Sequence, residues 1–307
     1  MDEKIFVIGH KNPDTDSICS AIAYAEFKNR TIKSDVVPAR CGDLNSESKF
    51  VLDKFNIDTP KLIEDATDKS IILVDHNEFS QAVDNLDKAN IKEVIDHHKV
   101  NFKYSEPIYF LSKPVGATAT IISKKFFENK IEPRKEIAGI LLASILSDTV
   151  IFKSVTTTSF DRKMAERLAE ICEISNIKDF GIEVKRAKSS LKGLKPQDII
   201  LSDFKDFNMG GKKIGIGQIE IVDRTEVDEI RNDLISELDN MRERGNYTLV
   251  ILMVTDIIKE GSELLVTGDY SIVEKTFRKS ITNNSVYLES VMSRKKEIVH
   301  PLESTLS

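Results

Sequence analysis

Cysteine is scarce in this 307-residue chain: Cys19, Cys41 and Cys172 are an odd number, far apart, with no Cys-x-x-Cys spacing. This excludes a disulfide framework and a cysteine-built zinc module, and reads as small packing residues in a reducing compartment. Also missing is any run approaching the roughly 18 apolar residues that would span a bilayer. No excess of positive charge exists either. Forty-four Lys and Arg face 50 Asp and Glu, for a net charge of −6, which gives no general pull toward nucleic acid or anionic lipid. Internal repeats and low-complexity tracts are absent. The chain runs straight into a strand pattern, Lys4-Ile-Phe-Val-Ile-Gly9, with no leader-like apolar segment before it. The expectation is a cytoplasmic protein with no membrane or nucleic-acid partner.

What is present suits a core of ordinary size. Hydrophobic residues make up 40 % of the chain, and its length predicts two compact domains. In the first half, short apolar runs alternate with helical patterns. Strands are predicted at Ile5 to Ile8, Asp35 to Pro38, Ile71 to Val74 and Val94-Ile95. Helices are predicted from about Ser17 to Asn29, Ser46 to Phe55, Gly116 to Glu128, Lys135 to Leu146 and Phe160 to Glu173. This alternation predicts an α/β fold with a doubly wound, mainly parallel sheet over residues 1–185. Residues 186–196 are basic, broken by Gly193 and Pro196, and read as a linker. Residues 197–307 then read as a smaller mixed-sheet α/β domain, with strand signals at Ile199 to Phe207, Lys213 to Val222, Tyr247 to Val254 and, as the last clear strand, Leu264 to Thr267. A helix from about Thr225 to Arg244 lies between them.

The informative feature is where acids and histidines fall. The first strand ends in His10-Lys-Asn-Pro-Asp14-Thr-Asp16-Ser17, directly before a helix. Ile71 to Val74 ends in Asp75-His76, Val94-Ile95 ends in Asp96-His97-His98, and a helix ends in Ser147-Asp148. Ligands in open parallel sheets collect outside the carboxyl ends of strands, so these groups can share one crevice. Singly, each acid has a plainer explanation as a helix cap, and a lone histidine is more often structural. Four of the five histidines at strand ends are not explained by independent caps. Aspartates mixed with neutral imidazoles favour manganese, cobalt or zinc over magnesium. Several Asp and two His fit two ions sharing a bridging carboxylate, an arrangement suited to hydrolysing a phosphoanhydride. A second cluster, Ser293-Arg294-Lys295-Lys296, is a solvated loop in isolation, but with a phosphate substrate it becomes an oxyanion grip. Lys205 alone would be an exposed strand lysine.

Together, Gly9-His-Lys-Asn-Pro-Asp-Thr-Asp-Ser17, Val74-Asp75-His76-Asn77, Asp96-His97-His98, Pro114-Val-Gly-Ala-Thr-Ala-Thr120, Ser147-Asp148-Thr149 and Ser293-Arg-Lys-Lys296 resemble the DHH phosphoesterase superfamily. Within it, the chain resembles the family II, manganese-dependent inorganic pyrophosphatases along essentially its whole length. The resemblance implies two Mn2+ per subunit, with Co2+ able to substitute and additional Mg2+ arriving with the substrate. It assigns His10, Asp14 and Asp75 to one ion, and Asp16, Asp75, His97 and Asp148 to the other. His98 would contact substrate or attacking water and act in catalysis beside Asp75 and Asp148, with Asp96 orienting a histidine. Lys205, Arg294, Lys295 and His98 would bind pyrophosphate, which a metal-bridging hydroxide splits into two phosphates. The clamp residues lie in the second (DHHA2-type) domain, so closure over the cleft is expected. The resemblance also implies a homodimer through the first domain, with Pro107-Ile-Tyr-Phe-Leu111 as the candidate edge strand. The two CBS modules of regulatory members are absent from the sequence. Two other readings remain: a superfamily phosphoesterase acting on polyphosphate, a cyclic dinucleotide or short oligonucleotides, and a metal-dependent phosphate sensor without turnover.

Overall fold

A five-residue strand, β1 (Lys4–Ile8), is the centre from which the first sheet grows in both directions. The computed structural model describes residues 4–189, 191 and 193–306, and these fall into two units divided between Lys188 and Ser189.

In the first unit the chain moves outward from β1 through α1 (Thr15–Thr31), β2 (Asp35–Arg40), α2 (Ser46–Lys54) and the short β3 (Lys61–Leu62). It then returns to the other side of β1 and builds β4 (Ser70–Val74), β5 (Asn90–Asp96) and β6 (Tyr109–Ser112). Among the described residues this makes a six-stranded sheet of order β3-β2-β1-β4-β5-β6, parallel at every pairing. The reversal between β1 and β4 leaves a crevice beyond their carboxyl ends, because the connections from these two neighbours depart in opposite directions. Strand β4 is buried at every residue, which accounts for its unbroken Ile-Ile-Leu-Val run.

Helices α3 (Thr118–Glu128), α4 (Lys135–Asp148), α5 (Ser159–Cys172) and α6 (Ile177–Ser189) follow. Helix α4 is buried from Ile137 to Ser147, so its apolar residues carry no amphipathic stripe. Ile8, Ile71, Leu73, Val83 and Leu86 form a separate cluster, against which the aromatics Phe79, Phe102 and Phe110 pack.

The second unit contains α7 (Pro196–Leu201), β7 (Phe204–Met209), β8 (Lys212–Ile221), α8 (Arg224–Gly245), β9 (Leu249–Asp256), β10 (Gly261–Gly268), α9 (Tyr270–Phe277) and β11 (Ser285–Glu289). A π-helical turn, Arg294–Val299, leads into α10 (His300–Leu306). The sheet order is β11-β10-β9-β8-β7, with β8 and β9 parallel across α8 and the remaining pairs antiparallel. The parallel first sheet and the mixed second sheet are those expected from the sequence. Three details differ. Helix α6 runs on to Ser189 because Phe180 and Val184, four apart, bury one face. Residues 199–201 close a helix rather than opening a strand, and β11 lies beyond the last strand expected. Among the described residues no helix is long and apolar enough to cross a membrane.

Candidate metal centre

The crevice between β1 and β4 gathers the acids and histidines that the sequence singled out. Just beyond β1, the His10 amide donates to the Ser17 hydroxyl at 3.1 Å, folding the loop back onto the start of α1. Asp14 is the N-cap of α1 and accepts from the Ser17 amide at 2.9 Å. The capping role and the site role therefore coexist in Asp14, whose other neighbour is His10 Nε2 at 3.6 Å.

Asp16 is fully buried and held from several sides. Its Oδ1 accepts from the Ala119 amide at 3.0 Å and the Ser20 hydroxyl at 3.1 Å, and from the Ser144 hydroxyl; its Oδ2 accepts from the Thr118 amide at 2.6 Å. Helix α3 has no side-chain cap of its own at Ala117. The carboxylate of Asp16 satisfies the first orphan amides of α3, where the helix dipole favours negative charge. The Thr118 hydroxyl donates to Asp75 Oδ1 at 3.0 Å. Asp161, at the start of α5, accepts from the Gly116 amide at 3.0 Å and the Thr120 hydroxyl at 2.6 Å. This explains the Pro114 to Thr120 motif as a loop strung between three carboxylates. A Cβ on Gly116 would lie 2.5 Å from Thr149 Cγ2 and 3.0 Å from Asp161 Oδ2.

Asp75 follows β4 with φ +62°, a left-handed conformation that Asp tolerates better than most residues. Its two oxygens face different partners. Oδ2 lies 3.5 Å from His10 Nε2, and Oδ1 lies 3.4 Å from His97 Nε2, which is itself 3.6 Å from Asp148 Oδ2. His97 Nδ1 stands 2.9 Å from the Val115 carbonyl, so Nδ1 carries hydrogen and donates there, while Nε2 is turned to the carboxylates. Asp148 is the last residue of α4, where an acid opposes the helix dipole and gains nothing locally.

Asp96 ends β5 and shapes the next two residues. Its Oδ1 accepts from the amides of His97 at 2.8 Å and His98 at 3.1 Å and from His98 Nδ1 at 2.9 Å; its Oδ2 accepts from Asn77 at 2.5 Å. Burial alone would raise the Asp96 carboxyl, but these donors hold it below the usual range. His98 is left half exposed, beside a cavity of ≈ 250 Å³ that His10, Asp75, His76, Asn77 and Gln81 also line.

Electrostatically the cluster is short of positive charge. Burial disfavours a charged His10, yet the facing Asp14 and Asp75 outweigh it and raise the imidazole to about 10. His97 is raised to about 10 against burial by Asp75 and Asp16. Burial, then the neighbouring Asp75, pushes Asp16 up to about 8. Burial and the charges of Asp16 and Asp14 push Asp148 well above the ordinary range. Burial would raise Asp75 as well, but the two imidazoles hold it well below that range. His76, buried with Nδ1 on the Val74 carbonyl at 2.9 Å, is lowered to about 4 by burial. Three sets of groups are each close enough to hold one ion: His10, Asp14 and Asp75; Asp16, Asp75, His97 and Asp148; and Asp75, His97 and His98.

The basic residues lie in the second unit and differ among themselves. Lys205 and Lys295 are exposed. Arg294 is only 8 % exposed and opens the π-helical turn. Its Nη2 donates to Asp203 Oδ1 at 2.7 Å, and its Nη1 donates to the Asp203 carbonyl at 2.5 Å and the Ile216 carbonyl at 3.4 Å. Glu297 accepts from the Met292 and Ser293 amides at 2.7 and 2.8 Å, and Ser293 accepts from the Lys296 amide at 3.3 Å. The Ser293 to Lys296 segment is thus a braced turn with one buried arginine, not a freely solvated loop. Sequence reasoning missed Asp203, although it stands two residues before Lys205. It also missed Asp161 and Glu47, which carry no motif.

Two family models match the chain, one for each of its two units. The DHH family N-terminal domain matches residues 4–145, and the DHHA2 domain matches residues 182–305. The chain is 49 % identical over 306 residues to the manganese-dependent inorganic pyrophosphatase of Methanocaldococcus jannaschii, spanning 97 % of this chain and 98 % of that protein. It is 47 % identical to the enzyme of the same name from Methanothrix thermoacetophila, over 99 % of each chain. A solved Methanococcus jannaschii structure, described as a candidate family II inorganic pyrophosphatase, superposes with a TM-score of 0.63 at 49 % identity, covering 98 % of this chain and 99 % of that one. With both domains matched and relatives this similar along its whole length, the chain belongs to the manganese-dependent inorganic pyrophosphatases of the DHH superfamily.

Proposed function

We propose that this enzyme hydrolyses inorganic pyrophosphate to two phosphates at a pair of manganese ions that share Asp75, with Lys205, Arg294 and Lys295 neutralising phosphoryl charge. The observation that carries the reading is the division of the Asp75 carboxylate, one oxygen facing His10 and the other facing His97. The names of the relatives support the substrate and the metal.

The residues fit such a pair. Asp75 Oδ2 and His97 Nε2 are buried without a hydrogen-bond partner among the described residues, a cost of about 1–3 kcal/mol each that a cation would remove. The four His–Asp separations of 3.4 to 3.6 Å are long for hydrogen bonds. They leave space for a cation between the ligand atoms of each pair. His10, Asp14 and Asp75 would hold one ion, and Asp16, Asp75, His97 and Asp148 the other. Imidazole among carboxylates suits manganese, with cobalt able to substitute, while magnesium enters with the substrate. When bound, the ions would lower the pKa of an attacking water and set positive charge against the phosphates.

The chain's own groups supply the remainder. Asp16 is fixed by the α3 amides, so it need not reorganise when a cation arrives. His98, raised by its hydrogen bond to Asp96, is poised to donate to a phosphate oxygen. Arg294, held by Asp203, and the exposed Lys205 and Lys295 would grip both phosphoryl groups, Arg as a fork and each Lys as a point charge.

Two further readings complete the proposal. Strand β6 is a sheet edge with Tyr109 exposed, and an unprotected edge pairs readily with a copy of itself. A homodimer through the first unit is the result, and a monomer at micromolar concentration with full activity would contradict it. Three cysteines without a disulfide suit the cytoplasm.

The test is phosphate release from pyrophosphate, polyphosphate and a dinucleotide, each with manganese and with magnesium. Pyrophosphate with manganese should be preferred by orders of magnitude in kcat/KM. Comparable rates on the dinucleotide would overturn the substrate.

A further inference from the structure

Behind the metal centre lies a second buried polar group that the mechanism does not use. Glu47, in the first turn of α2, is 2 % exposed. Its Oε1 accepts from the Thr15 hydroxyl at 2.6 Å and from the Ser147 hydroxyl. Among the described residues its Oε2 makes no hydrogen bond; it faces Lys185 Nζ at 3.4 Å, and the same Nζ donates to the Ser147 hydroxyl at 3.0 Å. Thr15 and Ser147 are themselves buried.

The chain positions of the two hydroxyls give the arrangement its meaning. Thr15 sits between Asp14 and Asp16 at the start of α1, while Ser147 precedes Asp148 at the end of α4. One carboxylate oxygen therefore ties together the two helix ends that carry Asp14, Asp16 and Asp148. Asp16 and Asp148 belong to the same four-residue set, yet they are separated by more than a hundred residues. A further negative charge beside this acidic cluster is unfavourable on its own, and Lys185 offsets it. Simple capping does not call for this acid. The N-cap of α2 is Asn45, which accepts from the Ser48 amide at 2.7 Å.

We propose that Glu47, with Lys185 as its counter-ion, is a positioning residue that sets the spacing of Asp16 and Asp148 for the cation they share. This rests on the reading of Asp16 and Asp148 as metal ligands. Lys185 lies on α6, outside every motif of the site, so the proposal extends the metal centre to α2 and α6.

The experiment measures Mn2+ binding by equilibrium dialysis on the full chain, beside thermal melting of the metal-free protein. Glu47→Gln keeps the shape but loses the charge and half of the acceptor capacity. The double variant Glu47→Met/Lys185→Met removes the pair without stranding a buried charge, the condition under which such replacements are tolerated. Both should weaken one of the two Mn2+ ions, the one that Asp16 and Asp148 share, by about 10- to 100-fold, the usual effect of removing a group that orients a metal ligand. Lys185→Arg, which keeps the counter-ion, should retain wild-type binding. A double variant that melts normally and binds both ions with wild-type affinity overturns the proposal. If the double variant does not fold, wild-type affinity in Glu47→Gln overturns it instead. A lower melting temperature with unchanged Mn2+ affinity in Glu47→Gln also overturns it, because the role would then be structural only. Asp16→Asn is the control: wild-type Mn2+ binding there refutes the ligand reading itself. Loss in Asp16→Asn with none in Glu47→Gln refutes only the positioning role.

Discussion

Replacing Arg294 with alanine removes a guanidinium with three bonds to its own unit: to Asp203 Oδ1, the Asp203 carbonyl and the Ile216 carbonyl. These use both N–H groups of Nη1 and one of Nη2. Among the described residues, the N–H of Nε and the second N–H of Nη2 remain for a ligand. In the proposed clamp, these two N–H groups would meet the oxyanion while Asp203 holds the guanidinium. A charge-assisted hydrogen bond is worth about 1.5–3 kcal/mol net. Its loss corresponds to roughly a ten- to hundred-fold fall in kcat/KM. Asp203→Asn keeps the guanidinium but neutralises its holder, so its fall should be smaller than that of Arg294→Ala. Arg294→Lys should recover only part, because a point charge cannot reproduce the fork. Steady-state phosphate release, run beside metal analysis of the same preparations, separates these effects from metal loss. Metal content should stay at the wild-type level in all three variants. Wild-type kcat/KM in Arg294→Ala would refute the clamp.

Two predictions concern the frame. A Cβ on Gly9 would lie 1.8 Å from Ser17 Oγ and 3.1 Å from Ser17 Cα. Gly9→Ala must therefore displace the loop carrying His10 from α1, costing about 1–3 kcal/mol as overpacking does in urea unfolding and weakening Mn2+ binding. Intact Mn2+ affinity would show that the loop adapts. In the second unit, burial would raise the Glu263 carboxyl, but Arg231 and Arg224 at 2.8 and 2.7 Å hold it below its ordinary value. A depressed folded-state pKa stabilises fully above the unfolded value and is lost as pH falls through the folded one. Stability should thus decline on acidification below about pH 4.5, and Glu263→Gln should flatten that part of the melting-temperature profile.

Much of the site was legible because its ligands stand at strand and helix ends, where polar residues interrupt apolar runs abruptly. Asp75 after Ile71 to Val74 and His97 after Val94-Ile95 are of this kind, and the parallel sheet brings such ends together. Helix α6 was hidden by its charge. Residues from Arg186 onward read as linker, although Phe180 and Val184 bury one face of the helix. Residues 199–207 mixed a short helix with a strand, since Ile199 and Ile200 suit either. Glu47 and Asp203 were invisible for a different reason. An acid that serves another residue carries no spacing signal, and only the folded chain shows that Thr15 and Ser147, or Arg294, meet it.

The central claim is that one carboxylate, Asp75, serves two cations. Its most direct test is Mn2+ titration of the chelator-stripped protein and of Asp75→Asn, counting ions per chain and their affinities. Two tight ions per chain in the wild type, both weakened in Asp75→Asn, are predicted. A single tight ion in the wild type, or loss of only one of two in the variant, would contradict the shared carboxylate.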